Sequence, residues 1–469
     1  GISSFQAIAL SLAGRVGTGN IVGVSTAIYI GGPGAVFWMW MTAFLGASSA
    51  FIESTLAQIY KREINGEYRG GPAYYIESGM KGGFAKGYAA LFAVLAIIST
   101  ALLLPGIQSN AIASSMKNAF GVEGWIIGVV LAIVLALIIF GGVRWIASVA
   151  TAVVPFMAIL YILLAVVIIV INFDKVPGLM ALIIKSAFNM ESAFGGILGA
   201  MIEIGVKRGL YSNEAGQGTG PHPAAAAEVS HPAKQGLVQA FSVYVDTLFV
   251  CTATALIILL SGTFNTTDGT MKGDMPNLIK DGGIYAVNAD GVKDYSGTAM
   301  YVQAGIDKAF HGSGYQFDPA YSGIGSYFVA IALFFFAFTT ILAYAYIAET
   351  NVSYLTKNSS VSLNKFLINV ARLIIVGATF YGAIKTADVA WAMGDLGVGL
   401  MAWCNIIAIW ILHKPALRAL KDFERQKKEK GSGKYAIYQP DPSELPNATF
   451  WTVDYPERLR KEHFDEKAH

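Results

Sequence analysis

The chain has 469 residues, of which 54% are hydrophobic and only 14% are charged, whereas soluble globular domains carry about 25% charged residues. Its formal net charge of +2 offers no strong field to attract nucleic acid, so we expect no nucleic-acid partner. The two cysteines, Cys251 and Cys404, lie in apolar runs, which argues against a disulfide framework or a cysteine metal site. This composition is typical of a polytopic protein embedded in a lipid bilayer.

Ten apolar runs of about the length that crosses a bilayer follow one another along the chain. We predict membrane spans at residues 5–30, 33–60, 86–117, 124–140, 146–173, 192–207, 233–262, 321–355, 363–384 and 389–412. The spans divide into a first five-helix unit, residues 1–173, and a second five-helix unit, residues 174–412. Because Gly1 leads into an apolar run without a basic segment or a cleavage site, we expect the sequence to begin inside a longer protein.

Lysine and arginine residues are concentrated in alternate loops between the predicted spans. They lie at 61–86, 141–145, 207–234 and 356–365, and they continue into the tail, residues 413–469. Because cytoplasmic loops are rich in basic residues, we predict a multi-pass protein of the cell membrane with a cytoplasmic C-terminal tail. The loop at 262–320, with its seven aspartates, is predicted to be an extracellular loop that forms a small folded cap. The tail is predicted to be a helix followed by solvated chain.

Glycines interrupt the first span near its middle, where residues 14–23 read GRVGTGNIVG. Each glycine weakens a helix by about 1 kcal/mol relative to alanine, and unwound backbone in a membrane requires protein or a wet cavity around it. A half-helix that begins near Thr18 and Gly19 offers free N–H groups to a carboxylate. A half-helix that ends between Ala13 and Val16 offers free carbonyls to a monovalent cation. Close helix packing through glycines four residues apart is the alternative explanation.

The sixth span carries a comparable glycine-rich segment, FGGILG at residues 194–199. Paired interruptions in two halves of a chain indicate the binding site of a secondary transporter. Gly195, Gly196 and Gly199 are therefore expected to lie opposite the first-span interruption. A later run, GQGTG at residues 216–220, lacks the strand and helix of a nucleotide loop, and we predict a cytoplasmic turn there.

Polar side chains in two other spans are further candidates for the site. Thr339 and Thr340 in the eighth span can complete an oxygen cage for sodium together with the first-span carbonyls, although a single helical threonine usually bonds back to its own helix. In the third span, Gln108 follows the helix breaker Pro105, and a buried carboxamide must be hydrogen-bonded. Its partner is either a small polar substrate or a neighbouring helix, and the same holds for Asn110.

Ionisable residues inside a membrane are costly and often functional. Four acidic residues fall in or near the spans: Glu53, Glu203, Asp246 and Asp395. Each of them either relays protons or cations, or faces a neighbouring arginine or a water-filled vestibule. Arg15 lies beside the predicted cation site, where a guanidinium is unfavourable. We expect Arg15 to project toward the cytoplasm and a carboxylate.

A secondary transporter is the function that these features favour. The sequence holds no zinc-binding histidine spacing, phosphate loop or nucleophile paired with a base, so we predict that the chain is not an enzyme. The alternative is an ion channel or another non-transporting polytopic membrane protein. A channel requires identical subunits or charged rings around a pore, and one chain with two unlike halves offers neither.

Several segments resemble the alanine/glycine:cation symporter family, also called sodium:alanine symporters. The closest match is GGPGAVFWMW at residues 31–40, which continues to Gly46. Four other segments agree: GTGN at 17–20, YRGGPAYY at 68–75, KRGLYSNEAG at 207–216 and GDLG at 394–397. The resemblance extends from Gly1 to the tail, although neither the 262–320 loop nor the tail contributes a motif.

The resemblance implies an all-α membrane protein with the LeuT-type fold, an inverted five-plus-five repeat whose first and sixth spans are discontinuous. It implies symport of a small neutral amino acid, such as alanine or glycine, with sodium or with protons. By motif, Thr18 and Gly19 would meet the substrate carboxylate, Asn20 would lie beside the substrate, and the sixth-span glycines would lie opposite. The coupling sodium ion would be held by oxygen atoms of Ala13, Val16, Phe336, Thr339 and Thr340.

Overall fold

The computed structural model describes residues 1–287, 291–296, 299–320 and 322–458. The described chain is mostly helical, with three short antiparallel strand pairs. Its α-helices, in chain order, are α1 (Ser4–Arg15), α2 (Val22–Gly31), α3 (Gly34–Ile59), α4 (Pro72–Gly79), α5 (Phe84–Ile97), α6 (Pro105–Phe120), α7 (Gly124–Ile139), α8 (Val143–Ile171), α9 (Val176–Ala187), α10 (Leu198–Asn213), α11 (Pro221–Ala226), α12 (Pro232–Tyr244), α13 (Thr252–Ser261), α14 (Met300–His311), α15 (Ile324–Leu355), α16 (Val361–Ile384) and α17 (Ala387–Lys430).

Seven helical segments of the described chain are long and apolar enough to cross a membrane. They coincide with predicted spans two, three, five and seven to ten: Gly34–Ile59, Phe84–Phe120, Arg144–Ile171, Pro232–Ser261, Ile324–Leu355, Val361–Ile384 and Ala387–Lys430. The fourth predicted span is the shorter apolar helix Gly124–Ile139. A mostly helical, multi-pass membrane protein is therefore confirmed, while the inverted five-plus-five repeat stays a prediction.

The outer surfaces of these helices are apolar. Leu137, Phe156 and Trp410 are 73%, 68% and 81% exposed, and they lie on spans four, five and ten. Water would not tolerate so large an apolar surface, whereas lipid chains cover it without a hydration penalty. The small and polar side chains point inward, so the polar groups of the site lie between helices.

Two spans contain π-helical turns, which often mark functional sites. Ile98–Leu103 joins α5 to α6 in the third span, and Val245–Cys251 joins α12 to α13 in the seventh. The first of these turns ends just before Pro105, which has no N–H to donate to the helix. The second contains Asp246.

The first span is discontinuous, as predicted. Helix α1 ends at Arg15, a 3₁₀ turn covers Thr18–Asn20, and α2 begins at Val22. Val16 and Gly17 between them have non-helical backbone angles. Carbonyls at the end of α1 and amides of the turn are therefore free of the regular helical hydrogen bonds.

The sixth span is also discontinuous, but its interruption lies later than predicted. The 3₁₀ segment Ser192–Ile197 leads directly into α10, and the helix breaks only at residues 214–220, before α11. Gly216 and Gly218 have φ angles of 76° and 93°, which glycine adopts without steric cost. Glu214 also has a positive φ angle, 54°, which is uncommon for a residue other than glycine. The GQGTG run is thus the interruption itself and is buried, so its prediction as a cytoplasmic turn is wrong.

The strand pairs lie in loops outside the spans. β1 (Arg62–Ile64) and β2 (Glu67–Arg69) form a hairpin after the second span, and its turn is Asn65 and Gly66, both with positive φ. In the 262–320 loop, β3 (Thr266–Lys272) pairs with β4 (Met275–Lys280), and β5 (Ala286–Val287) pairs with β6 (Lys293–Asp294). Helix α14 of the same loop packs on α13 and α15. The predicted folded cap is confirmed for the described part of this loop.

Residues 431–458, called here the folded tail, return to the spans after the long helix α17. Trp451 is 1% exposed, and its indole N–H donates to the carbonyl oxygen of Gln58 at 2.7 Å. The N–H of Tyr438 donates to the carbonyl oxygen of Ser230 at 2.9 Å. The prediction of solvated chain is therefore wrong for these residues, because a few aromatic side chains among many charges are enough to anchor the segment.

Candidate substrate and cation site

The backbone of the first-span interruption is held by two carboxamides. The N–H of Thr18 donates to Oε1 of Gln108 at 3.0 Å, and the N–H of Gly17 donates to Oδ1 of Asn20 at 2.9 Å. The hydroxyl oxygen of Thr18 is buried, and no residue in the described part of the chain forms a hydrogen bond with it. Because buried polar groups are nearly always hydrogen-bonded, this hydroxyl is available to a polar ligand.

The end of α10 faces this interruption. A Cβ atom on Gly19 would lie 3.1 Å from Cα of Ser212 and 3.1 Å from the ring of Tyr211, so only glycine fits there without a shift of its neighbours. The carboxamide nitrogen of Gln108 donates to the Tyr211 hydroxyl at 3.1 Å. The ring of Trp391 lies 5.1 Å from that of Tyr211 and extends the aromatic wall.

The sixth-span glycines are not part of this wall. Gly195 is half-buried, and Gly196 and Gly199 are exposed. A Cβ on Gly195 would meet only Asn189, and a Cβ on either of the others would meet nothing within 4 Å. The predicted position of the interruption is wrong because glycines only weaken a helix, and packing decides where it breaks.

Tyr211, Ser212 and Trp391 take the place that the glycines were expected to fill. Sequence reasoning did not single them out, although Tyr211 and Ser212 belong to the KRGLYSNEAG segment that carried the family resemblance. Their position in this segment is the feature of the sequence that points to Tyr211 and Ser212 as site residues.

The predicted cation ligands from the first and eighth spans do come together. The hydroxyl of Thr340 lies 2.7 Å from the carbonyl oxygen of Ala13, 3.3 Å from that of Val16 and 3.0 Å from that of Phe336. The hydroxyl of Thr339 lies 3.1 Å from the Phe336 carbonyl oxygen and 2.8 Å from that of Phe335. Both threonines are 1% exposed.

This set of atoms suits a hard monovalent cation. All the oxygens are neutral carbonyls or hydroxyls, which hard cations prefer over nitrogen and sulfur. The described residues contain no group of three His, Cys, Asp or Glu side chains that could hold a metal ion. The oxygen atoms of Ala13, Val16, Phe336 and Thr340 thus lie within hydrogen-bond distance of the Thr340 hydroxyl or belong to it, and Thr339 adds a second hydroxyl.

Arg15 has partners other than the expected ones. It is 2% exposed, and it donates to the carbonyl oxygen of Asn213 at 2.7 Å and to Oε1 of Gln239 at 2.9 Å. These neutral acceptors hold the guanidinium between spans instead of the expected carboxylate. The contact with Asn213 ties the end of α1 to the sixth-span interruption.

A carboxylate of the second span holds the sixth-span interruption from the other side. Glu53 accepts hydrogen bonds from the N–H groups of Gly216 at 3.1 Å and Gly218 at 3.2 Å. The carboxamide of Asn405 in span ten donates to the same carboxylate at 2.8 Å. Glu53 therefore fixes the unwound segment through these hydrogen bonds.

The remaining polar candidates lie away from the interruptions. Asp395 accepts hydrogen bonds from Arg208 at 2.9 and 3.0 Å, which selects the arginine-partner alternative for this residue, and Glu203 is exposed. Asn110 donates to the carbonyl oxygens of Gly382 and Lys385 at 3.1 and 2.6 Å, so its partner is a neighbouring helix.

Comparison with known proteins places the chain in a family. Residues 1–279 and 298–437 match the sodium:alanine symporter family. The chain is 48% identical to the sodium/proton-dependent alanine carrier protein of Bacillus sp. (strain PS3), over 97% of this chain and 95% of that one. It is 35% identical to the sodium/alanine symporter AgcS of Methanococcus maripaludis, over 91% of this chain and 85% of that one.

A solved structure shows the same fold. The crystal structure of MhsT in complex with L-phenylalanine is matched with a TM-score of 0.50 and 13% identity, over 89% of this chain and 98% of that one. MhsT has the LeuT fold, so the LeuT-type fold that the resemblance implied is confirmed. The chain belongs to the sodium:alanine symporter family, and it is a transporter rather than an enzyme or an ion channel.

Proposed function

We propose that this chain moves a small neutral amino acid, such as alanine or glycine, together with Na⁺ across the cell membrane by alternating access. The observation that carries the proposal is the position of Thr340. Its hydroxyl, from the eighth span, lies among carbonyl oxygens at the first-span interruption, next to the backbone that can receive a carboxylate. A cation and a zwitterion bound there would neutralise and orient each other.

The substrate carboxylate is assigned to the turn of Thr18 and Gly19. The N–H of Thr18 now donates to Gln108, and the buried Thr18 hydroxyl has no partner among the residues that the structure describes. A substrate carboxylate would take up both groups, with the positive end of the following half-helix adding to the attraction. Gln108 would then be free to form a hydrogen bond with the substrate or to keep its hydrogen bond with Tyr211. Asn20 would lie beside the substrate.

The residues that line the site limit the size of the substrate's side chain. Gly19 leaves no space for even one added carbon between the turn and Tyr211 or Ser212. Because overpacking by single methylene groups already costs about 1–3 kcal/mol, amino acids with short side chains are favoured. Alanine and glycine fit this requirement better than leucine.

Sodium is the coupling ion that the oxygen set favours. Neutral carbonyl and hydroxyl oxygens match Na⁺. The interrupted first span and the uninterrupted eighth span supply these oxygens, and the two spans belong to different halves of the chain. An ion between residues 13–16 and residues 336–340 would therefore join the two five-helix units, residues 1–173 and 174–412. Na⁺ binding would stabilise one arrangement of these units over another.

The predicted orientation, with the tail in the cytoplasm, indicates which helices must separate to open the site to the cytoplasm. On the same side, the backbone of Ile2 pairs with Ala226 and Glu228 at the end of α11. The half-helices α1 and α11 therefore close together, and opening toward the cytoplasm requires their separation.

Uptake by purified protein in liposomes tests the proposal. Radiolabelled alanine should accumulate against its gradient when an inward Na⁺ gradient is imposed at equal pH on both sides. Unlabelled glycine should compete, and leucine should compete poorly. Uptake that is indifferent to the Na⁺ gradient would disprove sodium coupling, and uptake of leucine as fast as alanine would disprove the assigned size limit.

A further inference from the structure

Four ionisable side chains are buried together around the two interruptions. Arg15, Glu53, Glu214 and Asp246 are 2%, 0%, 3% and 0% exposed. One guanidinium and three carboxylates would carry a net charge of −2 if all were ionised. Because an uncompensated buried charge costs several kcal/mol, the protein requires positive charge here, and one coupling Na⁺ supplies only half of it.

Asp246 is the carboxylate that contacts both interrupted spans. Its Oδ1 accepts from the carboxamide nitrogen of Asn20 at 2.8 Å, in the first-span turn. Its Oδ2 accepts from the hydroxyl of Ser212 at 2.9 Å, at the end of α10, and from that of Thr247 at 2.8 Å. All three donors are neutral, so no positive group pairs directly with this carboxylate through these bonds.

The partners of Asp246 can satisfy it with or without a proton. Hydroxyl groups both donate and accept. A proton on Oδ2 can be donated to the Ser212 oxygen, and the Ser212 hydrogen can then turn to the thiol sulfur of Cys251, 3.2 Å away. The carboxyl group of Asp246 and the hydroxyl of Ser212 therefore keep a hydrogen-bond partner in either state, which is what a site that gains and loses a proton requires.

The orientation of Asn20 favours a proton over Na⁺ at this position. Oδ1 of Asn20 accepts from the N–H of Gly17 at 2.9 Å, so the carboxamide turns its NH₂ group toward Asp246. An NH₂ group cannot coordinate a cation. A proton needs only an acceptor oxygen, and Ser212 provides one.

We propose that Asp246 is a proton-binding site of the transport cycle, where one proton adds to Oδ2 and leaves again as the two interrupted spans rearrange. This inference rests on the proposed symport and adds a second coupled cation to it. Ionised Asp246 binds Asn20 and Ser212 by charge-assisted hydrogen bonds, which are roughly twice as strong as neutral ones. Protonation would weaken the connection between the first and sixth spans.

Other groups that face this site set its electrostatic surroundings. The first span contributes Arg15, which interacts with Asp246, Glu214 and Glu53. The sixth-span interruption contributes Glu214, which interacts with Asp246 and with Glu53 of the second span. The seventh span itself adds Cys251, and Tyr161 of the fifth span faces that thiol. Arg15 favours the ionised carboxylate, whereas Glu214 favours the protonated one.

Proton movement during uptake tests the proposal in the full-length chain. Wild type, Asp246→Asn and the control Asp174→Asn, which alters an exposed acid, are placed in liposomes that contain a pH-sensitive dye, at clamped membrane voltage. Wild type and Asp174→Asn should acidify the lumen with about one proton per alanine. Asp246→Asn should move no protons with the alanine that it takes up, and its uptake should be slower than that of wild type. Proton movement by Asp246→Asn equal to that of wild type would overturn the proposal.

Alanine uptake by wild type at equal pH tests the symport separately, so its failure is distinguishable from loss of proton movement. An infrared titration of wild type and Ser212→Ala in detergent needs no transport at all. A protonated-carboxyl band should appear on acidification and should shift in frequency in Ser212→Ala, because the hydrogen bond to the serine oxygen is lost. A titrating band at the same frequency in both proteins would overturn the proposal.

Discussion

The hydroxyl of Thr340 donates to the carbonyl oxygen of Ala13 at 2.7 Å, and this bond joins the uninterrupted eighth span to the end of the half-helix α1. The two residues are 327 positions apart in the chain. When a cation binds, both oxygens can turn toward it, because the hydroxyl hydrogen is free to rotate away. Binding would exchange one hydrogen bond for ion coordination at the same atoms.

Substitution of Thr340 by valine is expected to weaken the apparent affinity for Na⁺ by about 10- to 100-fold, since an interaction with a charged group is worth about 1.5–3 kcal/mol. Thr339→Val should have a smaller effect, because that hydroxyl bonds only carbonyls of its own helix. The measurement is alanine uptake as a function of Na⁺ concentration. Thr26→Val is the matched control, since Thr26 bonds back within α2. An unchanged Na⁺ dependence in Thr340→Val would refute the ion assignment.

Two glycine-to-alanine substitutions distinguish the site glycine from the surface glycines. Gly19→Ala should reduce alanine transport at least about tenfold, because the added carbon lies 3.1 Å from Tyr211 and Ser212 and overpacking costs about 1–3 kcal/mol. Gly199→Ala should leave transport unchanged and raise helix stability by up to about 1 kcal/mol. Transport rates and thermal melting of both purified variants provide the measurements. An equal loss of transport in the two variants would show that Gly199 is part of the site, which would contradict this assignment.

Trp451→Ala should release the folded tail from the ends of the spans that it contacts. Removal of a fully buried tryptophan costs about 3–5 kcal/mol, and its hydrogen bond to Gln58 is lost as well. Hydrogen exchange should therefore rise in residues 431–458. Trp410→Ala is the control, because Trp410 is 81% exposed on the lipid-facing side of α17. A tail that stays protected in Trp451→Ala would show that other contacts hold it.

The ring of His231 lies 5.0 Å from that of Tyr438 in the folded tail, and this contact should weaken in acid. Burial lowers the pKa of His231 to about 4, although Asp422, 3.2 Å away, favours the charged ring. Because the folded state disfavours the proton, the stabilisation is complete above the ordinary pKa of 6.5 and is lost as the pH falls from 6.5 toward 4. The loss is at most about 1.4 kcal/mol per pH unit.

Limited proteolysis of the tail measures this effect. Cleavage within residues 431–458 should be faster at pH 5 than at pH 7 in wild type, and His231→Gln should show a smaller ratio of the two rates. Protease activity is calibrated at each pH on an unfolded substrate. A ratio that is the same in wild type and His231→Gln would rule out His231 as the titrating group.

The spans and the first interruption could be predicted from the sequence because they depend on local properties. Mean hydropathy over about 20 residues identifies a span, and the glycines of residues 14–23 coincide with the break in the first span. Glycines alone did not locate the second break. Residues 194–199 are as rich in glycine as residues 216–220, and only the contacts of Glu53 and Asn405 with the latter decide which segment unwinds.

The walls of the site and the fold of the tail depend on contacts between distant residues. Gln108, Tyr211 and Trp391 belong to three different spans, and no spacing in the sequence relates them. The tail is rich in charges, which favours solvated chain, but Tyr438, Phe450 and Trp451 bury themselves against the spans. The average composition of the tail does not predict that these three aromatic side chains anchor it.

Helix α17 has 44 residues, which at 1.5 Å per residue gives a length of about 66 Å, whereas the hydrocarbon core of a bilayer is about 30 Å thick. One continuous helix, which contains Pro415, therefore carries Trp391 of the aromatic wall near one end and supports the folded tail at the other. The part of α17 before Pro415 spans about 42 Å, so a tilt of about 5° around the first turn would displace the end of this part by about 4 Å. We therefore expect movements of span ten at the substrate to become larger toward the end of the helix that supports the folded tail.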